Sequence, residues 1–288
     1  MKISVNKLNS MIILLFLTGC IIKAQEQQPL GQQYLAEQLV YAKSLFEKQE
    51  YFDAVTELKR LAFFDKKALY SFEVNYLIGE SYKAGAWFSD AIKYYTLAQR
   101  YAPDDSVLFD LKTEIIRCNI LRRTIQQAHA LLNQLESSKS FSHWKSEISY
   151  WRGWSYIFED KWEKAAEEFG KISADHPLKK LALEVQNDKY SVSFAKVISY
   201  ILPGFGQFYT GNYLSGIMSI CWTGLMGYLA LEAFNADRIF DGFIMTGLFF
   251  RFYRGNTQNA ENFAVQRNKE ISDNALNYLQ YKFQGLKP

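Results

Sequence analysis

The feature that most constrains this chain is an internal repeat. Residues 76–103, "YLIGESYKAGAWFSDAIKYYTLAQRYAP", align without a gap on residues 150–177, "YWRGWSYIFEDKWEKAAEEFGKISADHP". Gly79 falls on Gly153, Tyr82 on Tyr156, Phe88 on Trp162, Ala91 on Ala165, Tyr95 on Phe169 and Pro103 on Pro177. The offset is 74 residues, twice 37, and the intermediate copies are present. Ala54, Ala91, Ala128 and Ala165 stand 37 apart, as do Tyr51, Phe88, Ile125 and Trp162, and so do Leu58, Tyr95, Leu132 and Phe169. A fixed period of this size marks an array of supersecondary units, each unable to bury its apolar face alone.

Within each unit, apolar residues recur at helical spacing, and the short polar stretches "KQE", "KAG" and "FED" divide the unit into two helices. The alanine lets the second helix approach the first, and the large residue three positions earlier fills the space between them. Proline after the second helix stops it and opens the next unit.

These residues resemble the tetratricopeptide repeat (TPR) family. Its Gly–Tyr–Ala–aromatic–Ala/Ile–Pro pattern is met at 79, 82, 91, 95, 98 and 103, and again at 153, 156, 165, 169, 172 and 177. The resemblance covers about residues 34–177. Two departures stand out: the period is 37 instead of about 34, and the third unit, near 105–140, lacks the glycine and the proline. The resemblance implies an α-solenoid of about four helix pairs over 34–190, including a capping helix. Its concave groove would hold a protein or peptide partner. The groove positions carried over are Glu73, Tyr76, Glu80 and Lys83, then Asp110, Thr113 and Arg117, then Glu147, Tyr150 and Trp154. The competing reading makes Tyr76, Tyr150 and Trp154 packing between repeats.

Composition changes after the repeats. From 197 to 236, forty residues carry a single charge, Glu232. Residues 213–234, "YLSGIMSICWTGLMGYLALEAF", are long enough to cross a bilayer, and Ser215, Gly216, Ser219, Thr223, Gly224 and Gly227 give them a small-residue face. A second, shorter apolar run covers 239–250. Between residue 192 and the first run lies "PGFGQFYTG", where Pro203 breaks a helix and the glycines permit a bend. Neither a GxGxxG context nor a serine between the glycines is present, which favours the bend over a phosphate cradle or a nucleophile elbow.

The wording "PGFGQFYTGNYLSGI", an apolar hairpin and then "RFYRGNTQNAENFAVQRN" is similar to a small bacterial membrane domain without an agreed activity, over about 190–268. The resemblance makes Pro203, Gly204, Gly206, Gln207, Tyr209, Gly211, Gly216 and Asn256 its marker positions. As a hypothesis, Gln207, Tyr209 and Asn256 hydrogen-bond the bend to the hairpin, because unsatisfied polar groups in lipid are expensive. The expected fold class is therefore all-α: a TPR-like solenoid, a membrane-embedded helical hairpin domain over 191–256, and an amphipathic helix over 257–288.

The first 24 residues read as a targeting signal, with Lys2 and Lys7 ahead of the apolar run "MIILLFLTGCII". Two processing readings stay open. "LTGC" resembles a lipobox, which would make Cys20 the lipidated first residue, whereas Ala24 offers a cleavage site before Gln25. Both place the repeats outside the cytoplasm, in a bacterial cell envelope, although Lys and Arg flanking the apolar block favour the cytoplasmic side. A net charge of +3 without a basic run gives no nucleic-acid footprint, so the expected partners are a protein and membrane lipid. Three scattered cysteines and three histidines offer neither a disulfide framework nor a metal set, and no cofactor or metal is expected. No Ser/His/Asp arrangement can be assembled by spacing. The function expected is a non-enzymatic envelope adaptor. The alternative is a membrane function proper, such as a channel, lipid-handling or assembly subunit.

Overall fold

The computed structural model describes residues 30–288. The targeting signal, Cys20 and Ala24 lie outside them. Every regular element among the described residues is helical. Packing divides the chain into two compact units, one ending at Thr124 and one running Ile125–Pro288. The boundary near 190 read from composition falls inside the second unit.

The first unit contains α1 (Leu30–Glu47), α2 (Tyr51–Phe64), α3 (Ser71–Ala84), α4 (Phe88–Ala98) and α5 (Asp105–Leu121). Each helix packs on the next in the chain. Leu35, Leu39 and Ala42 of α1 close on Val55, Leu58 and Leu61 of α2 and on Val74 and Ile78 of α3. The Asp104 side chain caps α5 by accepting from the Val107 amide at 2.9 Å.

The second unit contains α6 (Ile125–Ser137), α7 (Lys145–Phe158), α8 (Trp162–Ile172), α9 (Pro177–Asp188), α10 (Val192–Ile201), α11 (Phe205–Tyr209), α12 (Tyr213–Asn235) and α13 (Ile239–Tyr281). Pro177 opens α9, where its missing N–H costs no helical bond, and His176 caps it.

The 37-residue period is written into the backbone. The residues that turn one helix into the next are Gln49, Ala86, Arg123 and Asp160, all left-handed, with φ of 63°, 60°, 61° and 64°. Each turn closes the same way: Glu50 donates its amide to Leu45 O, Trp87 to Tyr82 O, Thr124 to Asn119 O and Lys161 to Tyr156 O, at 2.8–2.9 Å. This is the two-bond helix stop that satisfies orphan carbonyls. The side chains follow the same period. Ala54, Ala91, Ala128 and Ala165, and Leu58, Tyr95, Leu132 and Phe169, are all fully buried, at 0% exposure. A Cβ on Gly153 would sit 2.6 Å from the Phe169 ring, and one on Gly79 would sit 2.7 Å from Tyr95. Glycine is therefore what lets the large residue of the second helix seat on the first.

In the second unit α12 and α13 form an antiparallel hairpin. A Cβ on Gly242 would run into the Phe234 ring and one on Gly227 would lie 3.4 Å from Phe249, and Trp222 stacks on Phe252 with ring centroids 5.5 Å apart. The connection is a tight stop at Ala236, Asp237 and Arg238, where Asp237 has φ 57° and Arg238 pairs with Asp241 at 3.7 Å. The expected break at 256/257 is absent: residues 239–281 are one helix, about 65 Å long at 1.5 Å per residue. Gly255 and Asn256 stay helical because Asn256 is held by side-chain bonds, while the space beside Gly255 is open. The far half of α13 runs past α12 onto α10 and the α7–α8 turn. There Glu261 pairs with Lys196 at 2.7 Å, Asn268 bonds the Tyr190 backbone in both directions, and Ser272 donates to Asp160 at 2.6 Å.

Among the described residues, α12 is the one helix long and apolar enough to cross a membrane. Its apolar side chains face outward: Tyr213 is 67% exposed, Leu214 76% and Leu231 67%. Phe240 and Phe243 of α13 are likewise exposed.

Candidate functional site

The groove positions of the first unit form a charged and aromatic cluster. Glu73, Tyr76, Glu80 and Lys83 lie on α3, and Asp110, Thr113 and Arg117 on α5. Lys83 and Arg117 both pair with Glu114, which was not among the residues singled out. Glu80 accepts a hydrogen bond from the buried Tyr95 hydroxyl at 2.7 Å. Burial first, and then Glu80, Glu114 and Asp110, push the Tyr76 hydroxyl up to about 12. Asp110 is also raised, by partial burial first and then by Glu114 and Asp104. Thr113 is buried, and its hydroxyl has no hydrogen-bond partner. The Cys118 thiol beneath this face is pushed up to about 12 by burial and is buried, which makes it unreactive.

The groove positions of the second unit lie on α7. Glu147 is exposed and Tyr150 half-buried. Trp154 is only 2% exposed, its ring 6.4 Å from Phe158 and 6.2 Å from Phe283. The Tyr150 hydroxyl donates to the Leu286 carbonyl, and its ring packs edge-on to Phe169 and His176. Phe283 and Leu286 belong to the segment after α13. The helical spacing of 257–284, which includes Phe283, fits a return along the membrane surface or onto the repeats, and the segment reaches α7.

The fold brings Ser155, His129 and Glu159 together, which spacing along the chain had not. His129 Nδ1 is 3.3 Å from Ser155 Oγ, and Nε2 is 3.3 Å from Glu159 Oε2. This set is not arranged for nucleophilic chemistry. The Ser155 hydroxyl donates to the Arg152 carbonyl at 2.7 Å, and the residue is wholly buried. Among the described residues no three His, Cys, Asp or Glu side chains cluster as metal ligands would.

The glycine stretch holds a buried polar site in the second unit. α10 stops at Leu202, Gly204 turns with φ +89°, α11 makes little more than one turn, and Gly211 turns again with φ +77° into α12. A Cβ on Gly204 would fall 2.4 Å from Gly216 O, and one on Gly206 would fall 2.2 Å from Ala195 O. These are backbone-on-backbone contacts that only glycine permits.

Asn256 of α13 and Gln207 of α11 sit at the centre of this bend. Asn256 Oδ1 accepts from the Gly204 amide at 2.8 Å and from Gln207 Nε2 at 2.9 Å, while its Nδ2 donates to Ser199 O at 3.0 Å. Gln207 Nε2 also reaches Asn256 O at 3.0 Å and Ser219 Oγ of α12 at 3.2 Å. Ser199 Oγ donates to Gln207 Oε1 at 3.3 Å and accepts from the Gly206 amide at 2.9 Å. Gln207, Asn256 and Ser199 are almost wholly buried. One network therefore ties α10, α11, α12 and α13 together, and every polar group in it has a partner. Tyr209 serves at its edge: its hydroxyl accepts from the Ser191 amide at 3.0 Å, and its ring packs on Tyr190 and Phe194. Pro203 lines a cavity of about 480 Å³ with Leu202, Thr223, Phe249 and Tyr253.

No family model, curated protein or solved structure matches the chain.

Proposed function

We propose that this protein is a non-enzymatic adaptor of a bacterial cell envelope. In this reading the repeated helix pairs are a TPR-like solenoid whose groove takes a protein partner, and the α12–α13 hairpin is embedded in a membrane and holds the repeats there. The observation that carries the proposal is the joining, within one compact unit, of repeat helices and an outward-apolar hairpin. A helix of 23 residues measures about 35 Å at 1.5 Å per residue, enough for a hydrocarbon core of about 30 Å. The polar groups of the bend are turned inward onto one another, as lipid surroundings demand.

Repeats and hairpin are joined through Asp160, the left-handed residue of the α7–α8 turn. It accepts from Ser272 of α13, from Trp162 Nε1 at 2.7 Å and from Lys189 Nζ at 2.7 Å. Capture of crosslinked proteins from detergent-solubilised envelope tests the proposal. The intact chain should capture specific proteins that the Tyr150→Ala/Trp154→Ala chain loses, and an unchanged or empty set would remove the groove from the account.

A second reading, in which the hairpin itself handles lipid, is favoured by the apolar cavity beside Pro203. Thr223 lines it, is buried, and has a hydroxyl without a hydrogen-bond partner. Substitution of Thr223 or Phe249 should then change function more than substitution in the groove.

A further inference from the structure

The segment 282–288 leaves α13 at Tyr281 and turns onto α7. It touches Tyr150 and Trp154, two of the three residues of that helix that the resemblance assigns to the groove. The Phe283 ring lies 6.2 Å from the Trp154 ring, and the Leu286 carbonyl accepts from the Tyr150 hydroxyl. We infer that this segment is an intramolecular ligand of the α7 face. The partner received there in trans is then an extended polypeptide segment of the same chemistry: one aromatic ring, with a main-chain carbonyl three residues further on. The inference rests on the adaptor reading and supplies the class of its partner.

Its contacts include the Phe283–Trp154 ring pair, the hydrogen bond from Tyr150, and a bond from Lys287 Nζ to Gln280 O at 2.8 Å that folds the segment on its own helix. Two features make the segment an exchangeable occupant. Its side chains are not sunk in a core, since Leu286 is 68% exposed and Phe283 only half-buried. Its fit is incomplete as well. The Trp154 indole N–H is buried without an acceptor, a cost that the segment leaves standing and that an acceptor on an incoming chain would remove. A buried tryptophan beside a tyrosine donor is the kind of pair on which binding energy concentrates. Gly285 lets the segment curl, for a Cβ there would meet the Phe283 ring at 2.3 Å. A competing segment need not curl in this way, because it has no helix to turn back from.

An occupied face binds more weakly in proportion to the fraction of time it is open. The test is a titration of a fluorescein-labelled peptide of residues 280–288 into the full chain in detergent, read by anisotropy. Phe283→Ala should lower the apparent Kd at least ~10-fold relative to the unaltered chain, and Phe283→Asp should do the same by a different route. Trp154→Phe, added to either, should reverse the gain, and a peptide with alanine in place of its phenylalanine should not bind. Helical ellipticity shows that each variant is folded. Equal affinity for the unaltered and Phe283 chains, or no binding to either, would overturn the inference. If that happens while Tyr150→Ala/Trp154→Ala still loses its envelope partners, the adaptor reading survives without this ligand. If the peptide result holds and no partners are lost, the face is a self-contact and the adaptor reading falls.

Discussion

Gln207 donates from one nitrogen to both the side-chain and the main-chain oxygen of Asn256, at 2.9 and 3.0 Å, across 49 residues of sequence. Removing Asn256 orphans the Gly204 amide and leaves Gln207 without its main partner. Asn256→Ala should therefore cost about 2–3 kcal/mol. Gln207→Ala should cost about as much, and the double variant clearly less than the sum, with a coupling of about 1–2 kcal/mol. Thermal melts of the four chains in one detergent check this; additive losses would separate the two residues.

The glycines divide into those with no space beside them and those with ample space. Gly206→Ala drives a methyl onto Ala195 O and Ser199 Oγ and should cost about 3 kcal/mol or abolish folding. Gly224→Ala and Gly247→Ala meet nothing within 4 Å and lie inside helices, so each should be neutral or stabilising by up to about 1 kcal/mol. Equal effects at Gly206 and Gly224 would contradict the bend's geometry.

Ala86 holds a left-handed conformation, φ +60°, that alanine adopts at a cost of about 1–2 kcal/mol. Ala86→Gly should recover about 1 kcal/mol in chemical denaturation, despite the greater freedom glycine has when unfolded. The equivalent change at Ala84, the last residue of α3, should destabilise, and the contrast between neighbours makes the test specific.

Burial pushes the Asp160 carboxyl up, but hydrogen bonds from Lys189, Ser272 and Trp162 outweigh it and hold the group below the usual carboxylate range. Because the folded value lies below the unfolded one, this stabilisation is complete above the usual range and is lost as the pH falls through the depressed folded value. The side chain is more than half exposed, so the effect is modest. Asp160→Asn should lower stability by about 1 kcal/mol at pH 7 and by progressively less below pH ~4. A loss independent of pH would mean that the carboxylate charge is irrelevant.

The repeat was legible because it rests on local spacing. Four alanines 37 apart end fully buried, and the same period recurs in turns whose residues, Gln49, Ala86, Arg123 and Asp160, share no side-chain chemistry. Those turns are set by backbone hydrogen bonds, so the left-handed position in each accepts residues of different type. The bend was legible for another reason: Gln207 is polar in an apolar setting, while Asn256, between Arg254 and Gln258, is marked by the resemblance alone. Their partner Ser199 passed unnoticed as one serine on an apolar helix. The unbroken α13 was not legible, since Gly255 and Asn256 ordinarily mark a turn and here stay helical because the side chain of Asn256 is occupied elsewhere. Contacts at long separation, Asp160 with Ser272 and Trp154 with Phe283, depend on where α13 runs after residue 256. Local pattern does not encode that path.

In the proposed function the α12–α13 hairpin sits in lipid and holds the repeats at a membrane. Of the six tryptophans only Trp222 lies in the hairpin, half-way along α12 and stacked on Phe252. The decisive measurement is tryptophan quenching of the full chain reconstituted with brominated phospholipid. A hairpin in lipid should give a quenchable fraction that disappears in Trp222→Phe, with the remaining tryptophans untouched. No quenching, or quenching unchanged by the substitution, would take the hairpin out of the membrane and the adaptor proposal with it.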